Sequence, residues 1–307
     1  MKFPSKPITW VVGFANDAAD LVTRVVAASV AWQVGQPAVV ENRLGGNALR
    51  AADHVARAAP DGYTLFSSEQ GALVLNESAF APVANMARAP LVLVAHPALQ
   101  ATDFASFTAA SRRAAARLRF ASPGASLAHH IALQALKART GLDIVDVPYA
   151  GVMACMQALL AGQVQVGVFT SRLVLGHIAS GRLTPIACFS EVRLPELPAV
   201  ASLAELGYAG MDIALSLGVV VPRRTPLHII MELSAEVRRA VYDPRVGAQL
   251  RRLRLEPVGD TPERFAAFLR RQAQIWRPFL TLRREPGFCG DEKLIPVPAA
   301  SASVRTQ

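Results

Sequence analysis

The residues best suited to chemistry lie in two short turns, each between an apolar run and a helix-forming run. The first is Gly13-Phe14-Ala15-Asn16-Asp17-Ala18-Ala19-Asp20, and the second is Ser122-Pro123-Gly124-Ala125-Ser126. A turn between strand and helix presents free backbone N–H groups and the positive end of the helix dipole, which suits an anion. Ser122 and Ser126 would add hydroxyl donors for a ligand carboxylate; the plainer alternative is that they cap the following helix. Asp20 reads first as a helix cap and second as a ligand contact. Tyr149, after Pro148, either lines a cleft or is a half-buried aromatic.

Other chemistries fit less well. Gly124-Ala125-Ser126-Leu127-Ala128 approaches a nucleophile elbow, but Pro123 disturbs it. The later histidines, His177 and His228, do not follow a late strand in an evident loop, so catalysis is not expected. His129 and His130 are neighbours, point about 100° apart on a helix and cannot chelate one metal. His130 is expected to pack beneath the turn. Cys155, Cys188 and Cys289 fit neither a metal spacing nor a disulfide framework; Cys155 and Cys188 read as core. Gly45-Gly46 does not open a helix in a dinucleotide-binding pattern, so no cofactor is expected.

These turns need a scaffold, and the chain is long enough to build one. With 307 residues, 52% hydrophobic and few aromatics, it is globular and expected to form two domains. No apolar run approaches the roughly 18 residues of a spanning helix. The net charge of +9 comes with arginine pairs at 112–113, 238–239, 251–252, 270–271 and 283–284. Without interleaved aromatics they read as solvated helix faces, so no nucleic-acid partner is expected. The first seven residues hold no apolar stretch of signal-peptide type. As written, the chain is expected to be cytoplasmic unless a leader precedes it.

Ile8 to Val12 predicts a strand, Leu21 to Val34 a helix capped by Asp20 and ended by Gly35, and Ala38 to Glu41 a second strand. Helix 48–59, strand 63–67, an ambiguous stretch 71–86 and an apolar strand 91–95 follow. A second series comprises helix 103–116, strand 118–122, helix 127–139, strand 144–147, helix 152–160, strand 164–169, helix 173–180 and strand 184–188. A short helix is expected at 203–206, and a bare strand at 216–221. The end reads as helices 226–241 and 244–253, then a helix from Pro262 to about Arg284, then a frayed tail over 285–307. This alternation predicts a parallel, doubly wound sheet. The two bare strands bracketing the middle series predict a discontinuous first domain, 1–97 with 216–284, an inserted second domain, 98–215, and two hinge strands. Both turns would face the cleft between the domains.

Ordered stretches resemble a known family. They include Lys6-Pro7-Ile8, Val39-Val40-Glu41-Asn42-Arg43, Ala58-Ala59-Pro60-Asp61-Gly62-Tyr63-Thr64-Leu65 and Pro90-Leu91-Val92-Leu93-Val94. Val147-Pro148-Tyr149-Ala150-Gly151, Leu159 to Val164, Leu194 to Pro198, Pro222 with Thr225-Pro226, and Asp243-Pro244 continue the set to about Trp276. Together they resemble the Bug-type extracytoplasmic solute receptors of tripartite tricarboxylate transporters. The resemblance implies a two-lobed periplasmic-binding-protein α/β fold with mixed sheets, closing on a small carboxylate or amino-acid solute. It implies a periplasmic monomer that works with membrane transporter subunits, and a ligand site drawn from Phe14, Asn16, Asp17, Asp20, Ser122, Gly124, Ser126 and Tyr149.

The sequence departs from the family pattern at the first turn. It reads one residue shorter and lacks the usual Gly-Gly pair; Phe14, Asp20 and Arg24 keep their places. Leu127 stands where a small hydroxyl residue is usual, and Leu44 where proline is. Loss of glycine removes φ > 0 freedom, and Asp17 would repel a carboxylate, so binding is expected to shift to the second turn. An alternative reading is a divergent homologue serving as a regulatory or protein-interaction module.

Overall fold

The computed structural model describes residues 3–45, 48–113, 117–124, 127–279, 282–283 and 295–296. Ser126, Cys289, Arg284 and the expected tail, apart from 295–296, lie outside these residues. The chain opens with β1 (Ile8–Val12), α1 (Ala18–Val34) and β2 (Ala38–Asn42). Gly35 ends α1 at φ 67°, a left-handed conformation that costs glycine nothing. Then come α2 (Leu49–Ala56), β3 (Thr64–Glu69), α3 (Gln70–Leu75) and β4 (Phe80–Ala95). The ambiguous stretch is therefore a short helix running into a 16-residue strand, of which only the last five residues were expected.

The middle series holds α4 (Phe104–Arg113), β5 (Leu118–Ser122), α5 (Ala128–Thr140), β6 (Ile144–Pro148), α6 (Val152–Leu160), β7 (Val166–Thr170), α7 (Ser171–Ala179) and β8 (Thr184–Phe189). β9 (Ala214–Pro222), α8 (Leu227–Tyr242), α9 (Pro244–Arg252), β10 (Glu256–Pro257) and α10 (Pro262–Trp276) complete the fold. Two expectations fail here. Residues 203–206 form a turn, in which the Leu206 N–H bonds the Ser202 carbonyl (3.2 Å) and the Gly207 N–H the Ala204 carbonyl (3.1 Å) without continuing into a helix. α10 ends at Trp276, where Pro278 prevents continuation of a regular helix.

The strands order as β2-β1-β3-β9-β4-β7-β5-β6, with β8 and β10 also on β4. β1 runs parallel to β2 and β3, and β5 runs parallel to β6 and β7. The parallel pairing expected from the alternation holds within each of these groups, and the sheets as a whole are mixed, as the resemblance implies. β9 is antiparallel to β3 and β4, and β4 to β7 and β8, because these two strands pass between the halves instead of closing a crossover unit. β4 belongs to both halves: 80–90 pairs with β9, and 91–95 with β7 and β8.

Burial follows the same plan. One apolar cluster lies under α1 and α8 around Trp10, Val26, Leu217 and Val237. A second lies under α6 and α7 around Leu159, Val174 and the free thiols Cys155 and Cys188. Burial pushes both thiols up to about 11, as inert core cysteines should be. A third cluster runs through both halves along α10, from Phe66 and Phe265 to Phe107, Phe120 and Leu136. Arg112, Arg113, Arg239, Arg251, Arg252, Arg270 and Arg271 are exposed, as expected of solvated helix faces, whereas Arg238 is half-buried with its Nε on the Gly259 carbonyl (3.1 Å). Among the described residues no helix is long and apolar enough to cross a membrane.

Candidate ligand cleft

Register along β4 places two sets of strand ends opposite each other. Glu69, at the end of β3, pairs with Leu217 of β9, which pairs with Ala87 of β4. Thr170, at the end of β7, pairs with Leu91 of β4. β3 runs with β4 and β7 runs against it, so the two sets of strand ends point at each other across 87–91. Four residues of strand span about 13 Å at roughly 3.3 Å each. The turn after β1 sits beside Glu69, because Val12 pairs with Ser67. Phe120 of β5 pairs with Val166 of β7, so the turn after β5 comes level with Thr170, and the turn after β6 lies one strand further out. Carboxyl ends of parallel strands are where α/β folds hold ligands, and here two such sets converge.

In the first turn Asp17, not Asp20, is the N-cap of α1; its Oδ1 accepts from the Asp20 N–H (2.8 Å). Ala18 and Ala19 are strong helix formers and extend the helix past the expected start. Asp20 is buried inside the first helical turn. Its carboxylate accepts from the Asn16 N–H (2.9 Å), Arg24 Nε (3.0 Å) and Asn42 Nδ2 (3.0 Å). Asn42 also donates to the Phe14 carbonyl (2.7 Å) and accepts from Arg24 (2.7 Å). Asp20 thus holds the turn from within. Burial alone would raise its carboxyl; the Asn16 N–H, the Asn42 amide and Arg24 outweigh it and hold the pKa below the ordinary value. The positive φ that a glycine would supply is taken by Asn16, at 58°. Asparagine tolerates this region better than most residues, so the turn closes without glycine.

Gly13 is the turn's one point of close approach. A Cβ there would overlap Cβ and Cα of Ala48, the residue before α2. The obstacle includes backbone and cannot swing aside. Gly13→Ala is expected to cost about 2–3 kcal/mol, seen as a lower urea midpoint at unchanged slope.

In the second turn Ser122, Gly124 and Tyr149 lie near one another, and Ser126 is outside the described residues. Ser122 pairs with Pro148 of β6, and the Tyr149 N–H bonds the Ser122 carbonyl (2.9 Å). Gly124 has φ 138°, and Leu127, the residue before α5, makes no side-chain cap bond. The Ser122 hydroxyl does not cap that helix; it meets His130 Nδ1 at 2.9 Å, beneath the turn. Burial lowers the His130 pKa, with Asp146 pulling it up and Lys137 down. His129 is buried with Nδ1 unpartnered, and desolvation pushes its pKa down to about 4.

Sequence reasoning passed over Glu69. It follows Ser67 by two, so its side chain leaves β3 on the α1 face, where Ser67 meets Thr23 (2.6 Å). Among the described residues it makes no hydrogen bond or ion pair. Burial raises its carboxyl to about 7, and the charge of Asp17 adds to that. Asp17 is itself raised, first by burial. The only signal in the sequence was a lone charge ending the run Leu65-Phe66-Ser67-Ser68-Glu69.

A model of the tripartite tricarboxylate transporter family receptor matches residues 22–283. The chain belongs to this receptor family. BugT of Bordetella pertussis is 30% identical over 287 residues, 89% of this chain and 88% of BugT. MatC of Rhodopseudomonas palustris, solved with bound malate, is 27% identical with a TM-score of 0.71, over 90% of this chain and 99% of MatC. An R. palustris protein solved with adipate is 25% identical with a TM-score of 0.73, over 91% of this chain and 97% of that one. The receptor family match begins inside α1, after the first turn.

Proposed function

We propose that this receptor captures a small carboxylate-bearing solute between two lobes and presents it to a tripartite tricarboxylate-type transporter. Residues 1–97 with 216–284 form lobe 1, 98–215 form lobe 2, and β4 and β9 are the hinge strands. The observation that carries this is the facing of two sets of strand ends across 87–91 of β4. The span of about 13 Å suits a short chain with a polar group at each end, such as the malate and adipate held by relatives. In lobe 2 the N-terminus of α5, Gly124 and the Ser122 hydroxyl supply donors for one carboxylate. With Nδ1 of His130 protonated, the imidazole donates to Ser122 Oγ and leaves the hydroxyl proton for the ligand. Tyr149 flanks that end. A periplasmic location and membrane transporter partners go with the family.

Binding favours the closed form and raises the melting temperature by mass action. Thermal-shift screening of dicarboxylates, tricarboxylates and amino acids is expected to give a concentration-dependent rise. A flat profile at millimolar ligand would sink the reading. Ser122→Ala is expected to weaken binding by about 1 kcal/mol, roughly fivefold, in isothermal titration.

A further inference from the structure

We propose that the outer face of α1 and α9, from which Trp32 projects, adsorbs to an anionic lipid surface. Trp32 is 87% exposed, and Tyr242, at the end of α8, is 62% exposed. The other two tryptophans, Trp10 and Trp276, are buried. Two grooves meet at Trp32. One, of about 820 Å³, is walled by Arg24, Val25 and Ala28 of α1 and by Arg245 and Gln249 of α9. The other, of about 490 Å³, is walled by Arg239 and Tyr242. A single exposed aromatic is ordinary. An indole and a phenol among guanidiniums on one face have the makeup of a membrane-interface belt.

The charge that this face shows to solvent has one sign. Every exposed charged residue of α1 and α9 is an arginine: Arg24, Arg245, Arg251 and Arg252. The acids that meet the neighbouring arginines are sunk. Asp20, the partner of Arg24, is buried, and the Glu236 carboxylate that meets Arg239 (3.2 Å) is mostly so. Asp243 spends Oδ1 on the Arg245 and Val246 N–H groups. The Arg245 guanidinium has no hydrogen bond or ion pair among the described residues. A guanidinium pairs bidentately with a phosphate, and aromatic rings with a polar tip sit at headgroup level. A second copy of this face would set arginine against arginine. An acidic protein would have to offer a fitted pocket for the indole, whereas a lipid interface takes a projecting ring without one. Ala18 opens α1 on the cleft side, and Trp32 lies near the other end, about 21 Å away at 1.5 Å per residue. Adsorption through Trp32 therefore leaves the cleft clear.

Vesicle co-sedimentation tests this, with phosphatidylcholine alone and with phosphatidylcholine carrying about one-third phosphatidylglycerol. The full chain is expected to sediment with the anionic vesicles at about 50 mM salt and to be released at about 0.5 M. Its tryptophan emission is expected to shift to the blue and to lose iodide quenching, a change that reports Trp32 because the other two indoles are already buried. Trp32→Ala is expected to weaken partitioning about tenfold, and Arg245→Gln about fivefold, as for one arginine at such a surface. Both side chains face solvent, and the salt and emission readings on the unaltered protein need no variant. No sedimentation with anionic vesicles overturns the inference, as does adsorption with unchanged emission or unchanged partitioning in a folded variant. The blue shift with poly-L-glutamate but not with vesicles assigns the face to an acidic protein and overturns it. A dimer in sedimentation velocity that Trp32→Ala dissolves, without vesicle binding, assigns it to a second copy and overturns it as well. Solute titration of Trp32→Ala is expected to match the unaltered protein, so any of these failures leaves the receptor reading standing.

Discussion

Asp20→Ala is expected to destabilise the protein by about 3 kcal/mol, measured by urea unfolding. The carboxylate is buried and accepts from a backbone N–H, an amide and a guanidinium. Hydrogen bonds to a charged group contribute roughly 1.5–3 kcal/mol each, and removal leaves the Asn16 N–H and the Asn42 amide short of a partner. Arg24 is about half exposed and can turn to water, which moderates the loss. Arg24→Ala should accordingly cost less than 1 kcal/mol, and Asp20→Asn should fall between the two. A loss as large for Arg24→Ala as for Asp20→Ala would mean that the ion pair, and not the carboxylate's hold on the turn, carries the stability. Asp20→Ala should also weaken binding of any cleft ligand, because Asn16 and Phe14 are placed through Asp20 and Asn42.

The second large effect is a pair of opposed pH dependences. His129 has a folded pKa of about 4 against 6.5 in the open chain, so the unfolded state binds the extra proton between these values. Its contribution is complete above pH 6.5 and is lost as pH falls toward 4. Glu69 has a folded pKa of about 7 against 4.5, so the folded state binds the extra proton. Its contribution is complete below pH 4.5 and is lost as pH rises through 7. Each displacement corresponds to roughly 3 kcal/mol at most. Glu69 keeps some contact with solvent, so its share is smaller. Between pH 4.5 and 6.5 the two largely offset each other. Melting curves against pH should show Glu69→Gln gaining stability, relative to the unaltered protein, as pH rises from 4.5 to 7. His129→Leu should lose relative stability from pH 4 to 6.5. Parallel curves for all three proteins would refute both assignments.

Much of the scaffold was legible because local pattern and tertiary role agree in it. Ile8 to Val12, the stops at Gly35 and Gly141 and the second turn at Ser122 were all set by residues close in sequence. The misses arise where distant contacts decide. Most of β4 was hidden because Pro82, Arg88 and Pro90 break the strand pattern; it survives through register shifts at Pro82/Ala84 and Asn85/Ala87 against β9. The N-cap was read three residues late because Asp17 and Asp20 both precede apolar positions, and only the fold shows that Asn42 claims Asp20. Glu69 gave almost no local signal, since its environment is made by a turn more than fifty positions earlier.

The place of β9 in the sheet also bears on how the chain is made. It lies between β3 and β4, yet it leaves the ribosome after β5, β6, β7 and β8. Until it arrives, β3 and the first part of β4 each present an open edge with unpaired backbone groups. The strands β5 to β8, with 91–95 of β4 paired to β7 and β8, can close earlier. The newborn chain therefore passes through a stage with one finished half and one exposed half. At that stage capture by a chaperone competes with pairing to a neighbouring chain.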